Sequence, residues 1–472
     1  MDSVEDTNVT LPFKNGSSPD YNPGDVGFVL MSTALVFFMV PGVGYFYSGM
    51  ARSKNALSLI LLSLLSIAVV SFQWWFWGFS LTYSKDSGKF IGNFRNIFLQ
   101  NVQNEPSPVS QKIPDLVFAL YQLMFAAITP ALAIGAAAER ARLFPTIIFI
   151  FVWTTLVYDV IAHWVWSPNG WAYMMGAIDF AGGTPVHISC GAAALAYCMI
   201  LGKRNGHGTE EFRPHNVSNI ALGTVMMWFG WFGFNGGSAL SANLRAANAM
   251  YVTNLSASVG GLTWMFLDYR LERKLSTLSF CSGIIAGLVA ITPGSGYVSP
   301  SAALLFGFLA GLICNLSVKL KHVFEFDDAL DVFAVHGVGG ILGNLLTGIF
   351  AQKSIAFYDN HERIKGGWLD HHWEQIAYQL ATSMAGLFYS FAVTYIILFI
   401  MNILPGLSIR ASHEAEVKGI DESEIGENAY YHVARLMAAN ARTGELRTIR
   451  ETSNFQNNVG KIDRTERTFA HF

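Results

Sequence analysis

The side chains best placed to do chemistry in this sequence are the few ionisable residues inside apolar stretches: Asp159, His163, Asp179, His187, Asp331 and His336. Such a group is expensive to keep away from water, so each is a functional candidate. Two stretches share a pattern. DFAGGTPVH carries Asp179 and His187, DVFAVHGVGG carries Asp331 and His336, and in each an acid precedes a histidine beside glycines. A lone histidine there reads as a core residue satisfied by a backbone carbonyl. Two in matching stretches read better as a pair that passes protons, because either imidazole nitrogen gives or accepts one. A metal site is the weaker reading, since no third ligand stands at helical spacing. Asp179 has two roles open to it: capping amides at a helix start, and favouring a cation that arrives there.

The elements that must position these residues are membrane spans. The chain is 52% hydrophobic and only 13% charged, a balance that lipid-facing helices impose. Apolar windows give eleven spans, approximately 27–48, 57–83, 116–138, 144–166, 181–201, 217–241, 251–268, 275–292, 300–320, 331–351 and 376–404. The fold expected is an all-α polytopic membrane protein: a 5+5 inverted repeat plus a final long helix, with one histidine in span 5 and one in span 10. Three regions follow: an extracellular segment 1–26, a transporter domain 27–404, and a polar cytoplasmic tail 405–472.

Lysine and arginine set the orientation. Loops after odd-numbered spans hold Arg52 and Lys54, Arg140 and Arg142, Lys203 and Arg204, Arg270 and Arg273, and Lys319 and Lys321, whereas the short loops opposite hold only Arg245. The odd loops are therefore cytoplasmic and the N-terminus outside. Asn8 and Asn15 begin sequons in that outer segment and are candidates for glycosylation. A net charge of −3 gives no basic field for nucleic acid. Cys190, Cys198, Cys281 and Cys314 lie in apolar runs without zinc spacing and read as core residues. Glycine pairs in the spans suit close helix packing. Trp74, Trp75, Trp77, Trp164, Trp166 and Trp171 fall near span ends and read mostly as interfacial belt residues.

Several long motifs resemble one family. DFAGGTPVH, WFGWFGFNGGSA, CSGIIAGLVAITPGSGYV and DDALDVFAVHGVGG, with ITPALAIGAAAERAR, resemble the ammonium transporter (Amt/Mep/Rh) family over about residues 25–430. FRPHNVS, LGKRN and DYRLERK look most like its fungal permeases, and the two histidines place the chain with the twin-histidine members. The resemblance implies a plasma-membrane homotrimer in the lipid bilayer, with one pore per subunit, no cofactor, and ammonium, with methylammonium as its analogue, as substrate. It implies an outer cation site from Trp166, Ser238 and the face of Phe125, supported by Asp179. It implies a phenyl gate of Phe125 and Phe234, and a twin-histidine relay of His187 and His336. Between Trp166 and Asp179 the chain has one residue more than the bacterial pattern, which makes Trp164 a rival for the site.

The chemistry expected is deprotonation at the threshold. An intact cation pays many kcal/mol to enter an apolar passage, far more than one aromatic face and one hydroxyl return. Neutral ammonia passes, the proton takes the histidines, and potassium, having no proton to lose, is refused. The alternatives are a sensor with little flux and an electroneutral ammonia channel. A membrane enzyme would need a third catalytic group that no motif supplies. In the tail, Arg450 stands three residues before Ser453, a spacing that a cytoplasmic kinase would accept.

Overall fold

A chain in lipid must satisfy its own backbone amides, and the apolar stretches do so as helices. The computed structural model describes residues 20–361 and 363–431, and among these there is no strand, only isolated bridges. Eleven helical segments follow one another: α1 (Pro23–Met50), α2 (Ser53–Tyr83), α3 (Asp115–Ala137), α4 (Leu143–Met175), α5 (Gly183–Leu201), α6 (Val217–Gly237), α7 (Leu244–Glu272), α8 (Thr277–Ile291), α9 (Pro300–Val323), α10 (Phe333–Phe350) and α11 (Gln375–Ile403). Nine of them, among the described residues, are long and apolar enough to cross a bilayer. α8 is shorter, and α7 is long but carries Arg245 in its first turn and Asp268, Arg270 and Glu272 in its last. This is the eleven-helix membrane architecture that the sequence leads one to expect.

Local chemistry fixes the starts. Asn22, Asn216, Asn243, Ser276 and Ser299 each accept a backbone N–H in the first turn of α1, α6, α7, α8 and α9. Each such cap contributes about 1 kcal/mol. Pro23 and Pro300 occupy first-turn positions, where no intrahelical N–H is lost.

The packing has the form of an inverted repeat. α1 lies along α6, and α5 packs on α10. The last two run in opposite senses: α5 begins beside Trp166 and Ser238, α10 beside Met50 and Trp264 at the far end of the bundle. Their close crossing depends on glycine. A Cβ on Gly191 would stand 2.3 Å from the Gly337 nitrogen, so only a bare backbone there lets the two histidine-bearing helices meet.

Four spans contain a π turn: Trp74–Gly78 in α2, Thr154–Tyr158 in α4, Gly183–Ile188 in α5 and Phe333–Val338 in α10. Such turns are uncommon and cluster at functional sites.

Two of the six tryptophans near span ends turn inward. Trp74 and Trp164 are fully inside the bundle, each with its indole N–H on a carbonyl, of Ala119 and Phe90 respectively. Rings near the end of a span turn inward where a backbone acceptor is within reach. Trp75 remains exposed. The described part of the tail, up to residue 431, folds back on the bundle: Asp421 accepts from the N–H groups of Leu57 and Ser58 at 2.8 Å, capping the start of α2. Asn8, Asn15 and Ser453 lie outside the described residues.

Candidate functional site

At the end where α5 begins, a cavity of 590 Å³ opens between the helices, lined among others by Trp166, Asp179 and Ser238. The Trp166 indole N–H donates to the Asp179 carbonyl at 3.0 Å, which fixes the ring. Its edge meets Phe125, with ring centres 5.8 Å apart. Trp164 is held elsewhere, between Phe90 and Tyr389. The Ser238 hydroxyl donates to the Phe234 carbonyl at 2.9 Å and lies 3.3 Å from the Tyr121 hydroxyl, which leaves it a lone pair to accept from a ligand. Tyr121 steadies the same turn, with its hydroxyl 2.8 Å from the Phe234 carbonyl.

Asp179 does not reach into this cavity as a free carboxylate. Its Oδ1 accepts from Gly182 and Gly183 at 2.8 Å and its Oδ2 from Thr184 at 2.7 Å. It caps the start of α5, and its charge complements the helix dipole. The turn is tight: Gly182 has φ of +117°, which glycine adopts without strain.

Beneath the cavity, Phe125 and Phe234 stack with centres 4.1 Å apart, both buried. The pair closes the direct way down. Below Phe234 comes His187, whose ring also lies 5.5 Å from Trp231. His187 and His336 then meet through their Nδ1 atoms at 3.3 Å. His187 Nε2 is buried without a partner. The structure therefore brings together Trp166, Ser238, Phe125, Phe234, His187 and His336 in one file, with Asp179 behind it.

At the far end the sequence reading paired Asp331 with His336 as the counterpart of Asp179 and His187. The geometry corrects this. Asp331 forms an ion pair with Lys321 at 2.6 Å. The residue that caps α10 is Asp328, whose Oδ2 accepts from the Phe333 N–H at 2.7 Å. It stands eight residues before His336, as Asp179 stands eight before His187. That equal spacing was available in the sequence. Burial, and then the neighbouring Asp331 charge, push the Asp328 carboxyl up to about 6. A cavity of 30 Å³, room for a water molecule, separates His336 from this end and is lined also by Tyr47, Trp264 and Asp331.

Other site residues carried no signal in the sequence. Trp231 flanks His187 and is held by Thr292 at 2.9 Å. Asn344 of α10 donates to Thr184 at 2.7 Å and so braces the turn that Asp179 caps. An amide inside a span is unremarkable until its partners are known.

Around the far end, charged loops are tied together. Arg204 meets Asp327 at 2.9 Å, and Arg52 meets Glu139 at 2.8 Å. The Phe212 ring lies against both guanidiniums, at 4.1 Å from Arg204 and 4.5 Å from Arg52. Burial works against the Asp327 charge, but its hydrogen bonds to Arg204 and the charges of Arg204 and Arg140 outweigh it and hold the carboxyl well below the usual range.

Comparison with known proteins gives this arrangement its context. Ammonium transporter 1 of Schizosaccharomyces pombe is 54% identical over 413 residues, 87% of this chain and 83% of the relative. The crystal structure of Candida albicans Mep2 superposes with a TM-score of 0.81 at 46% identity, covering 87% of this chain and 91% of that one. That of Saccharomyces cerevisiae Mep2 gives 0.80 at 47% identity, over 84% and 88%. The model of the Ammonium Transporter Family matches residues 27–430, and the chain belongs to that family.

Proposed function

We propose that this chain carries ammonium across the plasma membrane by parting the ion into ammonia and a proton. The coarse activity, ammonium transport, follows from family membership and the named relatives. The mechanism is argued from one observation: two buried imidazoles bridged at 3.3 Å directly beneath a closed pair of phenyl rings.

Ammonium is recruited where the Trp166 and Phe125 rings and a Ser238 lone pair converge. Cation–π attraction is worth about 0.5–2 kcal/mol there. Stripping a small ion of water costs many times more. The ion gives up its proton above Phe125 and Phe234, and the neutral molecule passes as the rings part. The proton travels through His187 and His336, and the sum is one ammonium per cycle with one charge moved. Asp179 acts through its charge and its cap, because both its oxygens are engaged.

On this reading the α5 end faces outward, and the α10 end, with its cluster of Arg52, Arg140 and Arg204, faces the cytoplasm. The working unit is a homotrimer, each subunit with its own path. A tail kinase acting on Ser453, and glycans on Asn8 or Asn15, belong to the same proposal.

Ammonium-evoked current on solid-supported membranes tests it. Replacing His187 and His336 together by leucine abolishes the current. Undiminished current with intact selectivity over potassium overturns the mechanism. Methylammonium uptake by the same variant separates a blocked pore from a lost proton route.

A further inference from the structure

Two of the four π turns in the spans hold the twin histidines. The other two, in α2 and α4, are joined to each other: Gln73 Nε2 and Trp77 Nε1 both donate to Thr155 Oγ1 at 3.0 Å. Between them lies a polar cluster that the conduction path does not use. Asp159 Oδ2 accepts from Gln73 Nε2 at 2.6 Å. Four oxygens are left without a partner: Gln73 Oε1, Tyr83 Oη, Tyr158 Oη and Asp159 Oδ1. All four residues are at most 1% exposed. None of them lines the cavity at either end of the path.

Unpaired oxygens in a span are costly, and nearly all such groups in proteins have a partner. A buried carboxylate also requires a positive charge or a proton. Among the described residues no lysine or arginine forms an ion pair with Asp159, while Tyr83 and Tyr158 both lie within reach of its charge. We propose that Gln73, Tyr83, Tyr158 and Asp159 form a binding site for one small monovalent cation, separate from the conduction path.

The donor set carries the choice of ligand. It offers an amide carbonyl, two phenol oxygens and one carboxylate, which balances a single positive charge. A divalent ion takes more carboxylates, and among the described residues no group of three or more His, Cys, Asp or Glu gathers to hold one. Sodium, potassium and ammonium share the required chemistry; the last can donate to four acceptors at once.

The site lies near the end of α2 that leads into the next loop. Tyr83 is the last residue of α2, and His163, one turn beyond Asp159, reaches the Gly88 carbonyl of the following loop at 2.8 Å. An ion here ties α2 to α4 two turns from Trp166.

The test uses purified full-length protein. Melting temperature is measured in choline chloride and then in equal concentrations of sodium, potassium and ammonium chloride. At least one cation raises it in the wild type, the one that does so identifies the ligand, and the rise shrinks in Asp159→Asn and in the milder Tyr158→Phe. Ammonium bound in the path stabilises wild type and variants alike, so their difference isolates the cluster. An equal rise in wild type and both variants, or none in any salt, overturns the proposal and leaves a proton or water on Asp159. Where potassium or ammonium is the stabilising salt, crystals grown with thallium(I), which has their size, give an independent reading: an anomalous peak beside Asp159 Oδ1 is expected, and its absence overturns the site even if Asp159→Asn does not fold. Neither result depends on whether current flows through His187 and His336.

Discussion

The Nδ1 atoms of His187 and His336 lie 3.3 Å apart, so one ring donates to the other and a single hydrogen is held between them. Two facing acceptors or two facing donors would repel, so one ring presents its Nδ1–H and the other its Nδ1 lone pair. The pair is thus a unit, and its members fail together. Replacing either histidine by leucine should lower ammonium-evoked current as much as replacing both, since a bridge with one end removed passes nothing. Currents measured for the two single variants and the double variant check this. Losses that add up would mean that each ring carries protons alone.

Recruitment makes a different prediction. In the proposed mechanism Trp166 offers its ring to a cation and does not move the proton, so Trp166→Leu should weaken apparent affinity and leave the maximal rate nearly unchanged. A loss of about 0.5–2 kcal/mol corresponds to a roughly two- to thirtyfold higher half-saturating concentration. Concentration dependence of the current separates the two parameters. Trp164→Leu should not raise the half-saturating concentration in this way, because its ring packs between Phe90 and Tyr389.

Asp179 distinguishes a cap from a ligand. Asp179→Asn keeps one oxygen for the Gly182 and Gly183 amides and loses the acceptor at Thr184. Asp179→Ala leaves all three amides unsatisfied. At about 1–3 kcal/mol for each buried orphan, the alanine variant should be several kcal/mol less stable and the asparagine variant only modestly so. Thermal unfolding of the two, side by side, decides it. Equal stability of both with wild type would mean that the cap contributes little.

Much of this organisation was legible in the residues. Spans of about 20 apolar residues state their own number. α7 was read short, as 251–268, because its ends carry Arg245 and Glu272; it runs over Leu244–Glu272. The acid and histidine motifs pointed to α5 and α10, but the nearer acid, Asp331, drew attention from Asp328. Proximity in sequence was the wrong measure there, since the Asp331 carboxylate turns to Lys321 and leaves the Phe333 N–H to Asp328. Trp231, Asn344 and the Gln73–Asp159 contact had no sequence signal. Each depends on which helix faces which, and apolar spans without a polar face do not encode that.

Asp328 and Asp327 give opposite signs to the pH dependence of stability. The Asp328 carboxyl is raised to about 6 in the folded chain, so the folded state holds a proton that the unfolded chain, near 4, releases. Its ionisation therefore destabilises, and this term alone makes stability fall as pH rises from about 4 to 6. Asp327 is depressed, so its contribution is complete above about pH 4 and is lost only as the pH falls further. Asp328→Asn should remove the loss between pH 4 and 6, leaving a flatter melting temperature across that interval than wild type has. Asp327→Asn should leave that slope in place and be less stable than wild type at neutral pH. A variant with the wild-type slope at Asp328 would refute the assignment.

The tail supplies the last prediction. Asp421 caps the start of α2 through the Leu57 and Ser58 amides, and Glu424 accepts from the Leu143 N–H at 3.3 Å, at the start of α4. Lys54 completes the attachment by donating to the Glu416 and Val417 carbonyls at 2.8 and 2.7 Å. Two acidic side chains thus replace the caps that α2 and α4 do not provide for themselves, and the segment before residue 431 is held by the dipoles of the helices it covers. Removing one cap costs about 1 kcal/mol, up to roughly 2. Asp421→Ala should therefore release the segment without unfolding the bundle, and limited proteolysis should cut within 410–431 at least severalfold faster than in wild type. Asp421→Asn retains one acceptor and should fall between the two. If cleavage is no faster in the alanine variant, the tail is held by its other contacts and the cap is incidental.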